Sequence, residues 1–280
     1  MMKRTLLSSR ATRVIVIAAM GSSLGAATPK TNDYVAFVTC PLLRDTPELP
    51  CWMARYNGTL YYLGVQEGRS HLNTWYQPQM KHKMLVQGVV SNRPTVCGGV
   101  PLDHMFVSDL PEVSPECDTK MLPTQGFVSP KGRPLGPDPG PVGGEQVLRG
   151  PAGGAPELYT KDDIAQRRPL HFDIHYNFNS DFLIFPQEHN RAIQLKEYVQ
   201  AIGARQIRMT AHRASALLTG GKVIVEDATI PASRRDNIIT VLKAIGVPGE
   251  IITSEVLATP EPAKGPGDQL AQRVDIEVVP

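Results

Sequence analysis

"HFDIHYNFN", residues 171–179, poses the choice on which the fold depends. Two histidines four apart with an aspartate between them would share a metal ion on a helix. On a strand they cannot. His171, Asp173, His175, Asn177 and Asn179 alternate with Phe172, Ile174, Tyr176 and Phe178. That is period-two patterning, polar on one face and apolar on the other. At a rise of about 3.3 Å per residue the two imidazoles stand roughly 13 Å apart, too far for one ion held at about 2 Å. The stretch reads as a half-buried strand with a wet face, and no metal site is expected.

Working outward, the residues after this strand switch period. Pro186 opens a helix in which Ala192, Leu195, Val199 and Ile202 follow at helical spacing, and Gly203 ends it. "QIRMTAH" (206–212) alternates again and reads as a strand. A loop with Gly220-Gly221 and a short extra strand in "KVIVED" follow. Thr229 and Pro231 start a second helix with Ile238, Val241, Leu242 and Ile245 on one face, closed by Gly246. "EIITSEVLA" (250–258) and "QRVDIEVV" (272–279) supply two last strands. The order βαβαββ predicts an α+β unit over 167–280, two helices layered on one sheet.

These segments resemble the OmpA-like C-terminal domain, the peptidoglycan-associated module of many bacterial envelope proteins. "YNFNSDFL" (176–183) is similar to the family's opening "FDFDSAxL", and "IRMTAHRA" (207–214) to its "VxVxGHTD". "SRRDNIITVLKAIGVP" (233–248) resembles its "RAxAVxxYLxxxGV" helix, and "AQRVDIEV" (271–278) its closing "NRRVEI" strand. The family grips the free carboxylate and amine of a diaminopimelate stem peptide. It uses the aspartate of "GHTD" and the arginine of "NxxLSxxRA". In register with Gly246 that arginine is Arg234, followed by Arg235; His212 keeps the family's histidine. Ala214 stands at the aspartate position, Ala211 at the glycine, Arg213 at the threonine and Asp227 at the asparagine.

Two readings of the site follow from the resemblance. In one, Arg234 holds a carboxylate through its guanidinium fork and Asp227 replaces the missing negative charge. His212 and Arg213 then flank a weakened peptidoglycan site. In the other, the fold is kept without the ligand, and His212, Arg213 and Arg234 are surface residues. The insertion around 215–226 sits on the side from which a ligand would approach.

The first half is of another kind. "YVAFVTC", "GTLYYLGVQ", "KMLVQGVVS" and "HMFVSDL" read as short strands, and Asn57-Gly58 marks a hairpin. All four cysteines, Cys40, Cys51, Cys97 and Cys117, lie here. An even count in an exported chain predicts two disulfides in one of three connectivities. A small disulfide-stapled β-domain, in the form of a small barrel, is expected over 30–122. Residues 123–166 follow as a linker, and half of the residues from 123 to 156 are Pro or Gly. Such a segment spans about 30 Å as a coil and about 100 Å as polyproline II, so the two units need not touch.

The basic start (Lys3, Arg4, Arg10, Arg13) and "VIVIAAMGSSLGAA" predict a signal peptide over 1–27. The mature chain is then periplasmic, with an outer-membrane association in view and no membrane span. Charge is balanced, with eight basic against nine acidic residues over 28–122 and thirteen of each over 167–280. That leaves no basic excess for nucleic acid. There is no GxSxG, HExxH, Walker loop or GxGxxG opening a helix, so no enzyme and no cofactor is expected. The function expected is non-catalytic: a tether that holds a partner near peptidoglycan. The alternative is a structural subunit of an envelope assembly whose OmpA-like domain makes only protein contacts.

Overall fold

The computed structural model describes residues 30–46, 50–65, 81–118, 120–123, 158–183 and 186–280. The expected signal peptide and residues 124–157 of the expected linker lie outside them.

The N-terminal unit contains β1 (Tyr34–Thr39), β2 (Pro41–Arg44), β3 (Cys51–Tyr56), β4 (Thr59–Val65), β5 (His82–Val90), β6 (Val100–Val113) and β7 (Lys120–Leu122). Cys40 alone separates β1 from β2, so they are two halves of one bent strand. One half pairs with β5, the other with β3. β3 pairs with β4, β4 runs parallel to β6, and β6 returns to β5. The sheet therefore closes on itself as a five-stranded Greek-key barrel of the OB type. Its interior is filled by Val35, Phe37, Trp52, Ala54, Tyr61, Leu63, Met84 and Val86 among others. Asn57 and Gly58 both take positive φ (46° and 78°), which gives the tight β3–β4 turn.

The disulfides are Cys40–Cys117 and Cys51–Cys97. The first ties the bend between β1 and β2 to the turn after β6. The second ties β3 to the loop 91–99, which folds over the outer side of β3 and β4. There Leu42, Met53, Tyr62 and the Cys51–Cys97 pair form a second small core. A Cβ at Gly99 would lie 2.4 Å from Met53 Cε and 2.8 Å from the Tyr62 nitrogen. Only glycine lets this loop approach so closely.

The C-terminal unit begins with α1 (Lys161–Ala165), capped by a reciprocal Thr160–Asp163 pair. Leu158, Tyr159 and Ile164 pack against the core of this unit. There follow β8 (Leu170–His175), α2 (Pro186–Ile202), β9 (Gln206–Ala211), β10 (Ser215–Leu217), β11 (Val223–Val225), α3 (Ile230–Ala244), β12 (Ile252–Val256) and β13 (Arg273–Val279). Four strands form one sheet in the order β12-β9-β13-β8, with β12 parallel to β9 and the other pairs antiparallel. Ile174, Ile207, Met209, Val274 and Ile276 on one sheet face meet Leu195, Tyr198, Ile238 and Leu242 of the helices. The two-layer βαβαββ reading holds, with a β10–β11 hairpin inserted between β9 and α3.

The first strand is shorter than its alternation suggests. β8 ends at His175, and Asn177 and Phe178 are both buried. Phe178 leaves the sheet to join Leu85, Ala214, Ala216 and Ala271 in a cluster between the two units. Its backbone N–H donates to Ser108 Oγ at 2.9 Å.

The hairpin completes that junction. Thr219, at its tip, donates its N–H to the Ala36 carbonyl at 2.7 Å, and its hydroxyl accepts from the Ala36 N–H at 2.9 Å. The Tyr56 hydroxyl donates to the Thr219 carbonyl at 2.9 Å. One residue thus covers backbone groups on the free edge of β1. Among the described residues, no helix is long and apolar enough to cross a membrane.

Candidate functional site

Arg234 sits in the first turns of α3, on the face turned to the sheet, and its side chain is 0% exposed. A guanidinium at that depth needs a partner for each N–H. Its Nη2 bonds Glu226 Oε1, and its Nη1 donates to Glu226 Oε2 at 3.0 Å. Nε donates to the Ser180 carbonyl at 2.8 Å and Nη2 to the Asn177 carbonyl at 3.0 Å. The guanidinium carbon also lies 5.1 Å from the centre of the Tyr176 ring.

Glu226 is equally enclosed, at 0% side-chain exposure. Besides the guanidinium fork, its Oε2 accepts the Ala214 N–H at 2.7 Å and its Oε1 the Asn179 N–H at 2.9 Å. Asn179 has φ 57°, a left-handed conformation that turns its amide inward. Four donors from three segments therefore converge on one carboxylate. Two come from α3, one from the residue at the family's aspartate position, and one from the turn after β8.

The other residues singled out in the sequence are dispersed around this pair. Asp227 is exposed and accepts from the Thr229 N–H (2.9 Å) and the Thr229 hydroxyl (2.8 Å). Those two bonds hold its pKa below the usual carboxylate range. It closes the turn into α3 rather than facing Arg234. Arg213 is half-buried and donates from Nε to the backbone carbonyl of Glu226 at 2.8 Å, and from Nη1 to the Ala258 carbonyl at 3.3 Å. Ala214 is fully buried.

His212 follows Arg208 and Thr210 on the opposite, open face of the sheet. Its ring nitrogens lie 2.5 Å from Glu261 and 2.6 Å from Asp275. Burial raises the Asp275 carboxyl, but bonds from His212 and Arg273 outweigh that and bring it to about 2. That open face is a broad concavity of about 1040 Å³ lined by His171, Asp173, Arg208, Glu255, Arg273 and Glu277 among others. His171 faces it in solvent, whereas His175 at the end of β8 is buried, and burial with the nearby Arg191 lowers its pKa to about 4. Among the described residues, no group of three or more His, Cys, Asp or Glu is placed to hold a metal.

Glu226 is the functional side chain that the sequence reading passed over in favour of its neighbour. The signal was there. Val223, Val225 and Asp227 are exposed while Ile224 and Glu226 turn inward, so period-two patterning through "VIVED" already assigns Glu226 to the inner face.

No protein-family model and no curated protein matches the chain. Among solved structures it is similar to the OmpA-like domain of FopA1 from Francisella tularensis subsp. tularensis SCHU S4, at 15% identity over 40% of this chain and 73% of that one, with a TM-score of 0.32. It is similar to a putative MotB-like protein from Desulfovibrio vulgaris at 12% identity, 40% and 73% coverage and the same TM-score of 0.32. The periplasmic domain of Helicobacter pylori MotB stands at 15% identity, 40% and 74% coverage and TM-score 0.32.

Proposed function

We propose that the chain is a structural subunit of a bacterial envelope assembly, periplasmic after export, whose OmpA-like domain makes protein contacts and does not hold peptidoglycan. The observation that carries this reading is the enclosed Arg234–Glu226 pair. A stem-peptide carboxylate would need the guanidinium fork, and an internal carboxylate already fills it from a fully buried position. The tether reading rests on the same arginine being reachable.

The barrel supports the same conclusion. In OB-type barrels ligands are taken on the face of the second and third strands and by the loops beside it. Here the loop 91–99 and the Cys51–Cys97 disulfide cover that face on β3 and β4. Both modules have their ligand-bearing surfaces closed by the chain itself, which leaves outer surfaces for partners.

Binding to purified sacculi tests the reading. The wild-type chain is expected in the supernatant, and Arg234→Ala with it. Retention of the wild type on sacculi, abolished by Arg234→Ala, would restore the tether.

A further inference from the structure

We infer that the open face of the C-terminal sheet docks a basic segment of a partner protein, whose lysine ammonium is received by Asp173, Asp275 and His175. This deepens the reading of a subunit that works through protein contacts, and rests on it, by naming a surface and the chemistry of what it takes.

The first argument is the cross-strand register. Opposite the helices, the sheet presents its polar side chains in rows. His171, Glu277, Arg208 and Thr253 form one row, in which Arg208 Nη1 donates to Glu277 Oε2 at 3.0 Å. His175 faces Arg273 in another. Between them Asp173, Asp275, Thr210 and Glu255 stand side by side across the sheet. That middle row holds three carboxylates and no cationic side chain. Arg273 reaches into it, donating from Nε to Asp275 Oδ1 at 2.6 Å, and His212 pairs with Asp275 as well. Among the described residues, neither Asp173 nor Glu255 has a lysine or arginine within ion-pair distance. Glu255 accepts the Thr210 hydroxyl at 2.9 Å. Two aspartates directly opposite each other on neighbouring strands repel. Burial and the facing Asp275 accordingly raise the Asp173 carboxyl above the usual carboxylate range. Nothing in the fold gains from that pairing, whereas a cation placed between the two carboxylates relieves it.

The second argument is an acceptor left over. His175 is only 8% exposed, yet it lines the same concavity. Its Nε2 lies 4.0 Å from Asp173 Oδ2, beyond hydrogen-bond reach, and the ring has no hydrogen-bond partner among the described residues. With its pKa lowered to about 4 by burial and Arg191, the ring is neutral at pH 7 and offers one nitrogen as an acceptor. An ammonium carries three N–H donors and takes its acceptors at about 2.8 Å. A metal ion draws its ligands in to about 2 Å, and these side chains are not placed for that. The concavity of about 1040 Å³ has room for the residues on either side of such a lysine.

The test is fluorescence anisotropy of a labelled peptide of alternating lysine and alanine with the full chain, against the same peptide with its lysines acetylated. Wild type is expected to bind the first and not the second. Asp173→Asn is expected to weaken binding about fivefold, the loss of one half-exposed charge pair. Asp162→Asn, an equal change of charge at an exposed position on α1, is expected to leave binding unchanged. In NMR spectra the His175 ring is expected to shift with the lysine peptide and not with the acetylated one.

No binding of the lysine peptide by wild type, equal binding of both peptides, or equal weakening by the two variants overturns the proposal. So does an unfolded Asp173→Asn, which would mean that the carboxylate serves the fold. A His175 ring that shifts with zinc chloride and not with the peptide makes the face a metal site instead. A wild-type dimer abolished by Asp173→Asn gives it to a second copy, and either result overturns the basic partner. Asp173 and Arg234 lie on opposite sides of the sheet, so retention on sacculi tests the preceding reading separately.

Discussion

A buried ion pair constrains more than it stabilises. Taking a guanidinium and a carboxylate out of water costs several kcal/mol each, and their attraction offsets that only when every remaining donor and acceptor is matched. Around Arg234 and Glu226 the matching comes from Ser180, Asn177, Ala214 and Asn179. Removing one partner leaves the other charged and enclosed. Glu226→Gln is therefore expected to lose about 3–5 kcal/mol of stability by urea unfolding, and a loss below 1 kcal/mol would contradict the enclosure. The arginine was legible in the sequence through its register with Gly246. Its partner was not read, because an acidic residue next to a helix start suggests a cap, whereas Asp227 only bonds Thr229 in the turn before α3 and Glu226 turns inward. A second buried carboxyl, Glu188, gives a pH signature. Burial raises its pKa to about 7, against the lowering effect of Arg191. A carboxyl raised on folding binds more protons in the native state, so its contribution is present at low pH and falls as pH rises from about 4.5 to about 7. His175 has the opposite slope, losing stability as pH falls from 6.5 towards 4. Glu188→Gln removes the first slope alone. Its stability relative to wild type should rise between those pH values by up to roughly 3 kcal/mol in paired urea titrations. A pH-independent difference between the two proteins would mean that folding leaves the Glu188 pKa unshifted.

Elements differ in how openly the sequence states them. β8, β9 and β13 were legible because each alternates over one wet and one buried face, whereas β12, with none of its residues buried, was legible from its β-branched Ile252, Thr253 and Val256. α2 and α3 were legible from apolar spacing and from Gly203 and Gly246, which take positive φ (58° and 99°) as helix-ending residues should. The barrel was readable as short strands and expected as a small barrel, but its pairing order was not legible. Closure depends on one strand bending at Cys40 and on a parallel β4–β6 pairing, and neither leaves a local pattern. β10 was missed for a related reason, since three residues carry no periodicity and it forms only against β11. The loop over β3 and β4 makes the clearest prediction at this scale. Gly99→Ala places a methyl group 2.4 Å from Met53 Cε and 2.8 Å from backbone of Tyr62. The side chain can yield and the backbone cannot, so a loss of about 1–3 kcal/mol is expected by thermal or urea unfolding. Gly220→Ala, with nothing within 4 Å of the added carbon, isolates the backbone cost of a positive φ of 101° and should lose less. Equal losses would mean that the loop does not press on β4.

At the scale of the molecule, the Pro/Gly content of 123–156 argued for two bodies free to separate, and composition says nothing of whether folded surfaces match. They do match. Ser108 on β6 receives the Phe178 N–H at 2.9 Å, Glu112 receives the Asn179 amide at 3.0 Å, and Thr219 closes the edge of β1. Phe178, Leu85, Ala214, Ala216 and Ala271 are all buried between the units. A long connection between docked units sets an effective concentration and not a spacing. Cutting it therefore leaves the association to the surfaces themselves. Limited proteolysis within 123–156 is expected to give two fragments that co-elute on gel filtration at the size of the uncut chain. Thr219→Pro weakens the junction without touching either core, so its cleaved fragments are expected to separate. Co-elution in both proteins would place the strength of the junction in the apolar cluster rather than at the hairpin tip. Separation in both would mean that the units associate only through the linker.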